Sequence, residues 1–277
     1  MRAALVQLTS GDDPQANLEI TRAFVAEAAQ AGAELVCTPE VTNCVSRDRG
    51  HQTRVLAEQD DDPTLAALAK DAARLGVWIS VGSVALRTRD PEGRFANRSV
   101  LIGPDGGIAA TYDKIHMFDV TVSDTESYRE SAGYRPGDRA VTARAGTATL
   151  GLSVCYDLRF PVLYRMLAQA GAQVLLVPSA FSPVTGAAHW ETLLRARAIE
   201  TGCFVLAAAQ TGTHPISTGP GRKTYGHSLA VAPWGEVLAD AGTDPGVTLV
   251  DLDLSEVARA RERVPSLTHD RAFADPS

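Results

Sequence analysis

The chain has 277 residues, 45% hydrophobic and 21% charged, an ordinary globular balance with enough apolar material for one large core or two modest ones. A net charge of −7 argues against a nucleic-acid or anionic-membrane partner, and no run approaches the roughly 18 apolar residues of a membrane span. Cys37, Cys44, Cys155 and Cys203 are scattered, without metal-ligand spacing and too few for a disulfide scaffold, so a reducing cytoplasm is the expected location.

Met1-Arg-Ala-Ala-Leu-Val-Gln-Leu8 reads as a strand over 2–8 and lacks the long apolar core of a signal peptide. Asp13 as N-cap and Pro14 at the first helical position open a helix to about Ala31, with Ile20, Phe24, Ala28 and Ala31 on one face. Glu34-Leu-Val-Cys37 is a short strand that Thr38-Pro39-Glu40 leaves. Asp62-Pro63 opens a second helix with Leu65, Leu68, Ala69, Ala72 and Leu75 on one stripe, closed by Gly76. Val77–Ala85, Phe95–Ile102 and Ile108–Asp113 are strands, the last two joined by a hairpin signal, Gly103-Pro-Asp-Gly-Gly. From Lys114 to Arg139 periodicity disappears, and the interleaved aromatic residues predict an ordered functional loop.

The second half repeats the style of the first. A strand-turn-strand over 140–154 leads to a break at Cys155 and a helix from Pro161 to about Ala170. A strand over 173–178 ends in Ser179-Ala-Phe-Ser. A helix over 187–201 buries Trp190, Leu193, Leu194 and Ala198. A strand over 204–210 precedes a Gly/Pro/Thr loop over 211–223. Strands over 226–232, 237–239 and 247–252 finish the sheet, with His227 read as a hydrogen-bonded core residue. No linker divides the halves, so one domain over 1–277 is expected, with a core to about 253 and a tail over 254–277.

A thiol at the mouth of a strand-to-helix turn faces backbone amides that favour negative charge, although a free cysteine ending an apolar strand is more often a small core residue. What raises Cys155 above that reading is its company. Glu40, Lys114 and Cys155 each follow a predicted strand, where α/β folds place their sites, and together they offer a base, a cation and a nucleophile. His116 and His189 flank the same loops, so a Cys–His pair is a rival base.

Three blocks, Cys37-Thr-Pro-Glu40, Tyr112-Asp-Lys114-Ile-His-Met-Phe-Asp119 and Val154-Cys155-Tyr-Asp-Leu-Arg-Phe-Pro161, resemble the catalytic blocks of the nitrilase (carbon–nitrogen hydrolase) superfamily in the same chain order. The resemblance implies an α/β fold, the α-β-β-α sandwich that forms four layers when subunits pair. It implies Glu40 as general base, Lys114 as oxyanion stabiliser and Cys155 as nucleophile. It assigns Glu130 as the second glutamate beside the lysine, and the Tyr156 backbone N–H joins the oxyanion site. No metal or organic cofactor is required.

Ser179–Trp190, Leu194–Glu200, Ala207–His214 and Thr224–Ser228 are similar to the Nit branch of that superfamily, nearest its deaminated-glutathione amidases. The activity implied is hydrolysis of a free carboxamide on a small anionic substrate, through a thioester, to a carboxylate and ammonia. An ω-amidase for α-ketoglutaramate-like monoamides is the near alternative; an N-carbamoyl-amine hydrolase or a non-catalytic binding subunit ranks lower. Arg159 is the expected carboxylate anchor, with a structural ion pair to Asp157 as its plain alternative, and Phe181 and Thr185 are expected to wall the pocket. His214, Arg222 and Lys223, in a loop with extra residues Ser217-Thr-Gly-Pro-Gly221, are candidates to read a longer tail. A homodimer or higher homo-oligomer is expected.

Overall fold

Strands buried on both faces dictate the architecture, because their runs are apolar throughout instead of alternating. The structure is a computed structural model and describes residues 1–123, 126–217 and 221–274. Arg2–Gln7 (β1), Leu35–Cys37 (β2) and Trp78–Leu86 (β3) lie side by side and parallel, and Ala96–Ile102 (β4) and Ile108–Asp113 (β5) extend the sheet as an antiparallel hairpin. A separate ribbon pairs Asp119–Ser123 (β6) with Glu126–Arg129 (β7). The second sheet takes Val141–Ala145 (β8), Ala148–Leu152 (β9), Val174–Leu176 (β10) and Phe204–Ala207 (β11). After a small ladder of Thr211–Thr213 (β12) with Lys223–Tyr225 (β13), it adds Leu229–Val231 (β14) and Val237–Asp240 (β15). Gly246–Asp251 (β16) returns to pair antiparallel with β1.

The sheet orders are β16-β1-β2-β3-β4-β5 and β8-β9-β10-β11-β14-β15. Each has one antiparallel edge, three parallel central strands and an antiparallel hairpin beyond them. The two halves with similar strand-helix-strand logic are thus two copies of one topology.

Pro14–Gln30 (α1) and Pro63–Leu75 (α3) pack on the first sheet, and Pro161–Gln169 (α4) and Pro183–Thr201 (α5) on the second, while Arg49–Val55 (α2) borders the cavity described below and Ser255–Arg263 (α6) follows the last strand. Along β1 the side chains alternate as the strand period requires. Ala3 and Leu5 join the core shared with Leu150, Leu152 and Leu176 of the other sheet, whereas Ala4 and Val6 pack with Val25, Ala28, Leu65 and Leu68 of α1 and α3. The result is the α-β-β-α sandwich. Among the described residues no helix is long and apolar enough to cross a membrane.

The predicted caps hold. Asp13 accepts from the N–H groups of Gln15 (2.9 Å) and Ala16 (3.3 Å), Asp62 accepts from that of Leu65 (2.9 Å), and Gly76 ends α3 at φ 69°. Several expectations need correction. The buried face of α1 is Asn17, Leu18, Thr21, Val25 and Ala28, while Ile20 is 49% exposed. Polar Asn17 belongs inside because it donates to the carbonyls of Gly11 (2.9 Å) and Asn43 (2.8 Å), which a purely apolar stripe does not register. The stretch 114–139 contains the β6–β7 ribbon, and 211–223 contains most of the β12–β13 ladder. His227 is not in a strand: it stands at φ 55°, partly exposed, with Nδ1 3.0 Å from Asp240. Helix α5 begins at Pro183 instead of Ala187. The segment after 253 opens with α6, which buries Val257 and Ala260.

Candidate active site

Three strand ends converge. Thr38-Pro39-Glu40 leaves β2, Lys114 follows β5, and Cys155 follows β9. The first two belong to one sheet and the third to the other, so the site lies between the sheets. Gly82 in β3 permits the approach: a Cβ there would collide with the carbonyls of Thr38 and Pro39 and with the Pro178 ring.

Glu40 is 4% exposed, and both its oxygens are occupied. Oε1 accepts from Lys114 Nζ and Asn97 Nδ2, each at 2.9 Å, and Oε2 accepts from the Ala180 N–H at 3.0 Å. Lys114, 2% exposed, also donates to both oxygens of Glu130 at 3.0 and 2.8 Å. Glu130 is fixed in turn by the Phe118 N–H at 2.6 Å and Asn97 Nδ2 at 3.2 Å. The Cys155 thiol stands close enough to the Glu40 carboxylate, the Lys114 ammonium and the Ala180 N–H for each to act on its ionisation.

The charges follow from these contacts. Burial by itself would raise the Glu40 carboxyl, but the Lys114 ammonium, with help from Arg222, outweighs it and holds the pKa below the usual value. Burial would likewise lower Lys114, yet Glu130 and Glu40 keep it well above an ordinary lysine. The Cys155 thiol is pushed up by burial and by the Glu40 charge, only partly offset by Lys114 and the Ala180 N–H. At neutral pH the resting site is therefore a neutral thiol beside a carboxylate base.

The backbone is strained where the chemistry sits. Among the described residues the non-glycine positions at positive φ are Val41 (49°), Cys155 (50°) and His227 (55°); the first adjoins Glu40 and the second is the thiol itself. Such conformations cost on the order of 1–3 kcal/mol each and persist only where the surroundings fix them. The Val41 N–H donates to Ser83 Oγ (2.8 Å), and the Cys155 N–H donates to the Pro178 carbonyl (2.9 Å). Cys155 sits at a break between β9 and α4, as the sequence suggested. It opens a five-residue 3-10 turn, Cys155–Arg159, that precedes the helix.

Asp157, fully buried within that turn, ties it to the lysine strand. Its carboxylate accepts from Tyr112 OH (2.7 Å), the Val154 N–H (2.8 Å) and the His116 N–H (3.0 Å), and His116 Nδ1 lies at 2.7 Å. Tyr112 and His116 bracket Lys114. Asp157→Ala therefore strands buried donors on both sides of the site and is expected to cost about 3 kcal/mol by urea denaturation. Asp157→Asn, which keeps an acceptor oxygen, is expected to lose less.

Glu40, Lys114, Glu130 and Cys155 open onto one cavity of about 700 Å³, also lined by Tyr156, Phe181, Thr185 and Arg222. The Tyr156 ring packs edge-on against Phe118 and Phe160. Arg159 is not among the lining residues. Its guanidinium carbon stands 5.6 Å from the Phe181 ring centre, and Nη2 lies 3.3 Å from His189 Nδ1. Neither His116 nor His189 lines the cavity; His116 stacks on Phe160.

His214 is buried between the Ser10 carbonyl (2.7 Å) and Thr224 Oγ1 (2.8 Å), and burial lowers its pKa to about 4. It is 1% exposed and is not among the residues lining the cavity. Lys223 is exposed on β13 and does not line the cavity. Thr218, Gly219 and Pro220 of the extra loop residues lie outside the described residues. Sequence reasoning missed Asn97 and Ala180. An asparagine inside the apolar run Phe95-Ala-Asn-Arg-Ser-Val was the available signal, since a buried amide needs a partner.

A fold of two like sheets enclosing a buried Glu–Lys–Glu cluster beside a cysteine defines an enzyme class. The carbon–nitrogen hydrolase family profile matches residues 2–262. The chain belongs to that family, within the nitrilase superfamily, and is a hydrolase acting on amides. The deaminated glutathione amidase of Yersinia enterocolitica is 40% identical over 270 residues, covering 97% of this chain and 92% of its own. The Caenorhabditis elegans NitFhit protein superposes with a TM-score of 0.90 at 35% identity, over 98% of this chain and 65% of that longer one. An amidase from Nesterenkonia sp. AN1, solved as a glutamate-to-glutamine mutant with acrylamide added at the active-site cysteine, shares 28% identity. It has a TM-score of 0.77, over 96% of this chain and 98% of its own.

Proposed function

We propose that the chain hydrolyses deaminated glutathione through an acyl-enzyme on Cys155. The observation that carries this reading is the buried Glu40–Lys114 pair, closed by Glu130, which lines with Cys155 one cavity large enough for a peptide-like substrate. The similarity to deaminated glutathione amidases along nearly the whole chain supports the substrate.

Glu40 takes the thiol proton as sulfur attacks the amide carbonyl, and Lys114 with the Tyr156 N–H stabilises the oxyanion. Glu130 acts as a positioning residue, holding the ammonium from the side opposite Glu40. Protonated Glu40 then gives its proton to the departing nitrogen, which leaves a thioester. Glu40 next deprotonates water, whose attack releases the acid and returns the thiol.

Deaminated glutathione contains only secondary amides, so its leaving group is the amine of cysteinylglycine. This departs from the ammonia expected of a primary carboxamide. The outer faces of α4 and α5 leave Val162, Met166, Val184 and Ile199 exposed, which supports a homodimer as part of the proposal.

Parallel assays decide the substrate. Deaminated glutathione is expected to give 2-oxoglutarate and cysteinylglycine with kcat/KM well above that for α-ketoglutaramate, whose turnover is read as ammonia. The opposite ranking assigns the ω-amidase activity instead.

A further inference from the structure

Arg47, in the segment after Glu40, and Arg222, in the excursion that ends at β13, meet at one aromatic ring. Their guanidinium carbons stand 4.4 and 5.5 Å from the centre of the Tyr128 ring, and all three residues line the cavity that holds Cys155. Arg222 Nη2 donates to the carbonyl of Ala180, the residue whose N–H holds Glu40, while its Nε is buried without a partner.

Among the described residues neither Arg47 nor Arg222 has a carboxylate within ion-pair distance. Arg22, Arg98 and Arg135, by contrast, each close on an aspartate. The other arginines of the cavity wall are engaged with backbone: Arg49 with the carbonyls of Ala132 and Gly93, and Arg129 with that of Tyr128. A buried N–H without an acceptor is costly, and a guanidinium held over a ring keeps its planar edge available for a carboxylate.

We propose that Arg47 and Arg222, set about Tyr128, form an anion subsite for a carboxylate on the leaving-group side of the scissile amide. The inference rests on the amide-hydrolase reading given above. The acyl carbon must lie between Cys155 and Lys114 at the floor, so the amine portion extends toward the mouth, where Arg47 is exposed. Arg222 also helps hold Glu40 charged, but that role explains neither Arg47 nor the unpartnered Nε. The substrate class is then an amide whose nitrogen substituent ends in a carboxylate, as a short peptide does.

Two compounds test this: deaminated glutathione and its analogue with the glycine carboxylate replaced by a carboxamide. Because each variant is judged by the ratio of the two, general damage to the site cancels. The wild type is expected to favour the acid by about tenfold in kcat/KM, mainly through KM. Arg47→Gln and Arg222→Gln are each expected to bring the ratio near unity, with Arg222→Lys between. A wild-type ratio near unity, or a variant of either arginine that keeps the wild-type ratio, overturns the subsite. If neither compound is cleaved, the proposed reaction fails, and the subsite is judged separately by calorimetric titration of the same pair. Tighter binding of the acid that is lost in both variants upholds it; equal affinities in the wild type overturn it.

Discussion

Cys155→Ala is expected to lower turnover by at least about 10⁴-fold, the scale on which loss of a covalent nucleophile is felt, and to leave the protein folded. The loss is large because the rest of the site has no substitute. Glu40 is committed on both oxygens to Lys114, Asn97 and Ala180; Cys37 and Cys203 are buried in the core, and Cys44, which borders the same cavity, donates its thiol to the Asp12 carbonyl. The structural cost is small because only one sulfur is removed and the Cys155 N–H keeps its bond to Pro178. The melting temperature is therefore expected to stay within a few degrees of wild type, roughly the shift that 1 kcal/mol produces. Mass spectrometry during turnover of a slow amide should show an acyl adduct on Cys155 in the wild type and none in the variant. Full activity in Cys155→Ala would sink the covalent mechanism.

Lys114→Met is the second large effect and acts on rate and stability together. Loss of an oxyanion donor is expected to cost about 10²–10³ in kcat. Removing one partner of a buried ion pair costs on the order of 3–5 kcal/mol, and here it leaves one buried carboxylate, Glu40, and one partly buried, Glu130, facing the gap.

The pH dependence should reverse as well. In the wild type the Glu40 pKa is below its unfolded value, so its contribution is present above about 4.5 and is lost as pH falls through the lowered folded value. Lys114 is raised, so its contribution is present below the ordinary lysine value of 10.5 and is lost only as pH climbs through the higher folded value. Without the ammonium, burial and repulsion from Glu130 raise the Glu40 carboxyl instead. Stability of the variant should then fall between pH 5 and 7, where that of the wild type does not. Urea titrations at the two pH values measure this slope. A nearly silent Lys114→Met alongside a large loss in His116→Ala or His189→Ala would instead revive the Cys–His alternative.

Much of this was readable from sequence for a definite reason. Strands buried on both faces are apolar throughout, and helices announced by Asp13-Pro14 and Asp62-Pro63 carry their own start signals. Glu40, Lys114 and Cys155 were visible as charged or reactive groups placed just after strands. What escaped notice depends on partners far along the chain. Asn17 and Asn97 are inside because backbone or carboxylate groups await them, and a hydrophobic pattern carries no information about such groups. Asp157 reads locally as no more than an ion-pair partner for Arg159, while its bonds to Tyr112 and His116 span more than 40 residues. The cavity's cations were likewise set by loop paths: Arg222 lines it and Arg159 does not.

The division of the site between two sheets bears on how activity arises during folding. Glu40, Lys114 and Asn97 come from one sheet, and Cys155 and Ala180 from the other; a chain with either sheet formed alone holds a lysine without its thiol or a thiol without its base. Hydrolysis is thus a reporter of sheet docking. In refolding, the return of secondary structure should precede the return of turnover, and partly folded chains should carry no stray amidase activity.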